Sequence, residues 1–218
     1  MGDRAVLVQL GDEISPEAND RVRDLLFALD QGPIQGILDL VPAYVSILVV
    51  YNPLVTGFRA IRDWVEAQSA RQVLLAASAA RMIRVPVVYG GDFGPDLDWV
   101  AGFHGIQEEE VIHLHTATPY RIYMIGFMPG FAYMGELPVQ LATPRKTTPR
   151  TRVATGSVGI AQRQTGIYPA ESPGGWQIIG RTPIALFDPQ AWPPAALGMG
   201  DMVQFYPISP EAFSTWGP

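Results

Sequence analysis

From Pro119 onward the chain carries no helical period. Strand-like runs "YRIYMIGF", "GSVGIA", "WQIIG", "PIALFD" and "DMVQFY" alternate with turns rich in glycine and proline. Short strands at this spacing predict an all-β domain, a closed or nearly closed barrel. The preceding part reads differently. "AVLVQL" at 5–10 is a short strand that ends at the turn pair Gly11-Asp12. "SPEANDRVRDLLFALD" then opens with Ser15 as N-cap, Pro16 at the first helical position and Glu17 near the positive helix end. Ala18, Val22, Leu25, Leu26 and Leu29 recur at helical spacing, so one face is apolar.

Two strands follow at 36–41 and 46–51, joined through "PAYV" as a hairpin, and Asn52-Pro53 breaks the second. Phe58, Ile61 and Val65 mark a second amphipathic helix reaching about Ala70, and "RMIRVPVVY" begins a further strand near Arg81. The order predicts a small α+β domain of the ferredoxin-like βαββαβ kind over residues 1–84. The β-barrel domain then occupies 85–218. It is entered through a turn-rich segment and two short helices at about 96–103 and 107–116.

Composition removes several chemistries. The chain has 218 residues, 48% hydrophobic and 17% charged, with a formal charge of −6, which argues against a sequence-independent grip on nucleic acid. There is no cysteine, hence no disulfide, thiolate zinc site or cysteine nucleophile, and a reducing compartment is the natural setting. "MGDRAVLVQLGDE" is not built like a signal peptide. Runs such as "SILVVY" are strand-sized, well short of the ~20 apolar residues that span a bilayer. The expectation is a cytoplasmic protein with neither nucleic acid nor membrane as partner.

Lys146 is the only lysine and sits in "PRKTT", so there is no P-loop. "TGSVG" misses the nucleophile elbow because Thr155 stands where its first glycine belongs. His113 and His115 lie two apart in a helix and point to different faces, a poor chelate, and no metal site is expected. His115, near the barrel entry, has two readings: a proton-transfer group, or a helix-end histidine stabilised by the helix dipole.

Two segments look like a pocket rim. "PRKTTPRTRV" places Arg145, Lys146, Arg150 and Arg152 within eight residues, either as a solvated, proline-stiffened loop or as an anion clamp. "QTGIYPAESPGGW", 164–176, offers Gln164, Tyr168 and Trp176 as amide, phenol and aromatic wall. Pro173-Gly174 fits a type II turn, with Gly175 letting backbone amides approach an anion. "GFMPGFAYMGELP", 126–138, repeats the same mixture of aromatics with glycine and proline.

These segments, with "GDRAVLVQLGDEIS" and "PRKTTPRTRVATGSVGIA", resemble the allophanate hydrolase subunit 1 family over nearly the whole chain. That family also includes the B subunit of bacterial 5-oxoprolinase and the KipI-type inhibitor of a sporulation histidine kinase. The resemblance implies a cyclophilin-like barrel and a partner chain similar to allophanate hydrolase subunit 2. That partner is the homologue of the 5-oxoprolinase C subunit, and an A-subunit homologue stands beside it. The activity it implies is ATP-dependent opening of 5-oxo-L-proline to L-glutamate by the complex, ATP entering with Mg at a site not placed in this chain. In that chemistry Arg145 and Arg150 take the anionic groups, and the amides of Gly174 and Gly175 act as donors beside Trp176. Gln164 and Tyr168 orient the substrate, and His115 handles a proton. The alternatives implied are a KipI-like kinase inhibitor or the carboxyltransferase component of a urea-carboxylase-type enzyme. The family pattern "RVPAGSV" stands here as "RVATGSV", with Ala154 and Thr155, and "AGGQTG" as "AQRQTG", so Gln162 and Arg163 replace small residues.

Overall fold

The computed structural model describes residues 3–70 and 80–217, in two compact units, Met1–Ala80 and Arg81–Pro218. In the first, β1 (Ala5–Gln9), β2 (Ile37–Pro42) and β3 (Ser46–Tyr51) form an antiparallel sheet in the order β1-β3-β2. Ile47, Val49 and Tyr51 alternate as the buried face of the central strand. Helix α1 (Pro16–Gln31) starts where Ser15 Oγ accepts from the Ala18 N–H at 3.1 Å, and it buries Val22, Leu25 and Leu29. Helix α2 (Phe58–Ala70) buries Ile61, Trp64 and Val65, and the Trp64 indole donates to the Gly32 carbonyl at 2.7 Å.

The expected fourth strand of this sheet belongs elsewhere. Strand β4 (Met82–Tyr89) runs parallel to the last strand of the chain, Met82 opposite Met202 through Val87 opposite Pro207. It lies in the second unit, so the described part of the first carries a three-stranded sheet and not the ferredoxin-like βαββαβ arrangement. The local sequence is that of a strand in either case; which sheet it joins is decided by long-range pairing. Its run of buried residues, Val85 to Val88, is the mark of a strand covered on both faces. Pro86, with no N–H to give, is tolerated because the ladder to the strand Gln177–Arg181 reaches only Val88 and Tyr89.

The second unit continues with α3 (Leu97–His104), α4 (Glu108–Thr116), β5 (Tyr120–Ile125), β6 (Ala132–Gly135), β7 (Arg150–Val153), β8 (Ser157–Ala161), β9 (Gln164–Ile167), β10 (Ser172–Gly174), β11 (Gln177–Arg181), β12 (Met202–Pro207) and α5 (Pro210–Ser214). Seven strands close into a barrel in the order β11-β4-β12-β5-β6-β9-β8, and β7 and β10 pair as a separate ribbon. The interior is packed with apolar side chains: Val87, Ile122, Met134, Ile160, Ile167 and Val203 are fully buried. "PIALFD" is not a strand. Its pairing is limited to one bridge, Phe187 with Ala195, although Leu186 is buried. Conversely, the basic segment expected as a loop supplies β7.

Because β4 closes the ring between β11 and β12, a fragment starting at Arg81 should unfold cooperatively with a native near-ultraviolet circular dichroism signal. One starting at Gly90 should lack both. Equal behaviour of the two fragments would contradict the placement of β4.

Candidate functional site

A cleft of about 220 Å³ opens on the outer side of the barrel wall, lined by Phe127, Phe131, Tyr133, Arg145, Pro149 and Tyr168, and by the segment from Pro173 to Trp176. Its floor is made possible by two glycines. Gly159 on β8 and Gly166 on β9 stand directly opposite one another. A β-carbon at 166 would lie 2.9 Å from the Phe131 ring, and one at 159 would lie 3.2 Å from Trp176 Cβ. The missing side chains therefore form a flat seat for an aromatic cluster. Phe131 is its centre, in edge-on contact with Tyr168 at 5.2 Å, Trp176 at 5.6 Å and Tyr133 at 4.8 Å between centroids. Phe127 covers it from outside at 5.5 Å, with a backbone φ of 67°. A left-handed conformation is costly for a bulky side chain, so its neighbours must hold it there.

Gly174 is needed for a different reason from the one expected. It lies in β10 paired with Arg150 of β7, and its φ is not positive, so Pro173-Gly174 is not a type II turn. The Tyr168 ring packs on its Cα, and a β-carbon there would sit 2.9 Å from two ring carbons. Gly175 has ordinary room, and its carbonyl accepts from the Lys146 N–H at 2.8 Å. Burial raises the pKa of the Tyr168 phenol; the Trp176 N–H and the charges of Arg145 and Arg150 oppose that shift.

The basic segment divides by partner. Asp96, buried at the start of α3, leaves its own helix uncapped and spends both oxygens elsewhere. Arg150 grips it with Nη1 and Nη2, each at 2.7 Å; Lys146 Nζ donates at 3.0 Å and the Ile178 N–H at 2.7 Å. Burial alone would raise this carboxyl, but the bonds from Arg150, Ile178 and Lys146 outweigh it and hold its pKa below the ordinary value. Arg152 pairs with Glu171 at 2.6 Å. Arg145 has no carboxylate partner among the described residues, and its guanidinium lies 6.0 Å from the Trp176 ring centroid. The planar fork of Arg150, expected on a ligand, is thus occupied by Asp96.

His115 is not at the cleft. It is fully buried in the barrel, stacked on Phe205 at 4.6 Å and Tyr120 at 5.4 Å. Thr165 Oγ1 donates to the Gly159 carbonyl at 3.2 Å, so it accepts from His115 Nε2–H at 3.0 Å, which leaves Nδ1 to accept from the Tyr89 hydroxyl at 2.8 Å. Burial lowers its pKa to about 3. Gln164 and Tyr168 bracket β9, so Gln164 stands at the far end of that strand from the cleft. Arg145, Tyr168, Gly174, Gly175 and Trp176 are brought together; Gln164 and His115 are not. Asp96 went unnoticed because "GPDLDW" reads as an ordinary helix start. Phe131 and Tyr133 had a visible signal, the aromatic and glycine mixture of 126–138, but not an individual one.

A closed barrel with an aromatic cleft on its wall can be set beside its relatives. The chain belongs to the carboxyltransferase domain family, subdomain C and D, whose pattern matches residues 1–197. It is similar to the B subunit of the 5-oxoprolinase of Bacillus subtilis (strain 168), 40% identical over 226 residues, covering 99% of this chain and 94% of that one. The crystal structure of PH0987 from Pyrococcus horikoshii is 46% identical, with 98% of both chains covered and a TM-score of 0.60. TTHA0988, also known from crystals, is 36% identical with a TM-score of 0.84; 94% of this chain is covered, and it spans 40% of that longer chain.

Two buried ionisable groups, Asp96 and His115, bear on stability in measurable ways. Arg150→Met should cost roughly 3 kcal/mol, because it strips a buried carboxylate of its bidentate partner. Thermal or urea unfolding reads it, and a melting temperature unchanged from wild type would show that Asp96 does not depend on Arg150. His115 is neutral in the folded protein down to about pH 3, whereas unfolded histidine takes up a proton below 6.5. Folding stability should therefore fall as pH drops between those values. His115→Gln should reduce that slope by about 1.4 kcal/mol per pH unit, read from urea unfolding across the same range.

Proposed function

We propose that this chain is the B subunit of an ATP-dependent 5-oxoprolinase, a complex that opens 5-oxo-L-proline to L-glutamate. The observation that carries the reading is the identity over nearly its full length with a protein of that name. The cleft supports it. It is small, apolar on its walls and bordered by a free guanidinium, as a compact ring bearing one carboxylate requires. A lactam is a stable amide, and ATP with Mg would supply the activation: the terminal phosphoryl group would pass to the amide oxygen with release of ADP, and water would then open the ring with release of inorganic phosphate. Developing charge on that oxygen needs donors, and Tyr168, Gly174 and Gly175 border the cleft in which it would sit.

This chain supplies one wall of the site. His115 is sealed in the core and Arg150 is committed to Asp96, so the remaining groups come from a second chain resembling the 5-oxoprolinase C subunit, with an A-subunit homologue completing the complex. Among the described residues no helix is long and apolar enough to cross a membrane; the setting proposed is the cytoplasm. A second reading has one observation behind it, the family's own description as a carboxyltransferase domain. That reading requires a biotin-bearing partner, and 5-oxoproline would not be its substrate.

The test is 5-oxoproline-dependent ADP release by the chain alone, by the pair with a C-subunit homologue, and by the set that adds an A-subunit homologue. Turnover is expected in the full set only. Turnover by the isolated chain would refute the shared site, and none in any combination would refute the 5-oxoprolinase reading.

A further inference from the structure

Arg145 differs from every other basic residue of its segment. Lys146 and Arg150 are held by Asp96, and Arg152 by Glu171. Arg145 alone has no acid among the described residues, although it borders a cleft. Its backbone is nonetheless fixed from both sides. Gln177 Nε2 donates to the Pro144 carbonyl at 3.0 Å, and the Lys146 N–H donates to the Gly175 carbonyl at 2.8 Å. Pro144 restricts the chain just before it. The stem is anchored, the guanidinium lies near the Trp176 face, and its donors are uncommitted. Lys146 and Arg150 share one carboxylate, Asp96, and Arg145 adds a further positive charge to the same segment, so the local excess is positive. This bias opposes the burial-driven rise in the Tyr133 and Tyr168 pKa values.

We infer that Arg145 is the residue that selects a small monoanion in this cleft, seating the carboxylate of a flat five-membered lactam while Trp176 and Phe131 bear on its ring, and that Arg150 has no part in ligand contact. The inference rests on the 5-oxoprolinase reading for the identity of the lactam, but the choice between the two arginines comes from the geometry alone. A guanidinium already forked onto a buried carboxylate would have to abandon it to hold a ligand, and an unpaired one has nothing to give up. A cleft of about 220 Å³ matches the size of a compact acid.

The test uses the reconstituted complex and the variants Arg145→Met and Arg145→Lys. Arg145→Met should raise KM for 5-oxo-L-proline about tenfold or more, with kcat changed by less than about threefold, because the lost contact is to a part of the substrate that does not react. Its melting temperature should match wild type, since no ion pair is broken. Arg145→Lys should fall between the two, keeping charge without the fork. The neutral lactam 2-pyrrolidinone should show the same KM in wild type and Arg145→Met. An unchanged KM for 5-oxoproline in Arg145→Met, with wild-type turnover normal, would overturn the inference and leave the function standing. If wild type shows no turnover, binding to the chain itself decides. 5-Oxo-L-proline should shift the Trp176 indole N–H resonance in wild type but not in Arg145→Met, and absence of any shift in wild type would also overturn it.

Discussion

One buried carboxylate organises the barrel unit of this protein. Asp96 sits at the first turn of α3, where an aspartate ordinarily caps its own helix. Here it reaches across to β7 through Arg150, to the basic segment through Lys146 and to β11 through the Ile178 N–H. Its own N–H returns to the Ile178 carbonyl at 2.9 Å, so helix and strand are tied in both directions. A charge so buried is tolerable only with all its partners in place. That requirement gives the cluster its value as an organiser. The segment carrying Arg145 and the strand entered through Trp176 can each take one position relative to α3, and the cleft lies between them.

The same economy explains which groups are left for chemistry. Positive charge is abundant near the cleft, but most of it is spent on structure: a bidentate pair, a lysine contact and a surface bridge between Arg152 and Glu171. What remains is one guanidinium over an indole, a tyrosine held by a glycine with no room for a side chain, and backbone amides. None of these is a strong base or nucleophile. Groups of this kind can hold and orient a ligand, but they do not activate water.

Much of the fold is legible in the sequence because its signals are local. Ser15-Pro16 starts α1, apolar spacing sets the buried faces of α1 and α2, and the Gly/Pro punctuation after Pro119 marks a domain of short strands. Local signals stop short of pairing. The strand after α2 satisfies a ferredoxin-like order and a barrel equally well, and only the register of Met82 with Met202, 120 residues further on, separates them. The site shows the same limit. The aromatic and glycine segments are recognisable as a rim, whereas the distinction between Arg145 and Arg150 depends on Asp96, more than forty residues earlier and unremarkable in its own context. Gly159 and Gly166 make the point most directly. Each looks like an ordinary strand glycine, and they become a seat for Phe131 and Trp176 only because β8 and β9 pair them face to face.

His115 shows why a chemically capable side chain need not be a chemical one. Its imidazole meets a phenol on one side and a threonine hydroxyl on the other, and the hydroxyl's own donation to Gly159 fixes the tautomer. Phe205 and Tyr120 both pack against the ring. Every polar atom is satisfied, and the neutral form is held by burial well beyond any physiological acidity. A group that shuttles protons needs a second state of comparable energy and a route to solvent, and this one has neither. The network instead links α4 to β4 and β9 across the end of the barrel, and β9 carries Gly166 beneath the aromatic cluster and leads into Tyr168. Its part in the structure is to fix the strand on which the cleft is built.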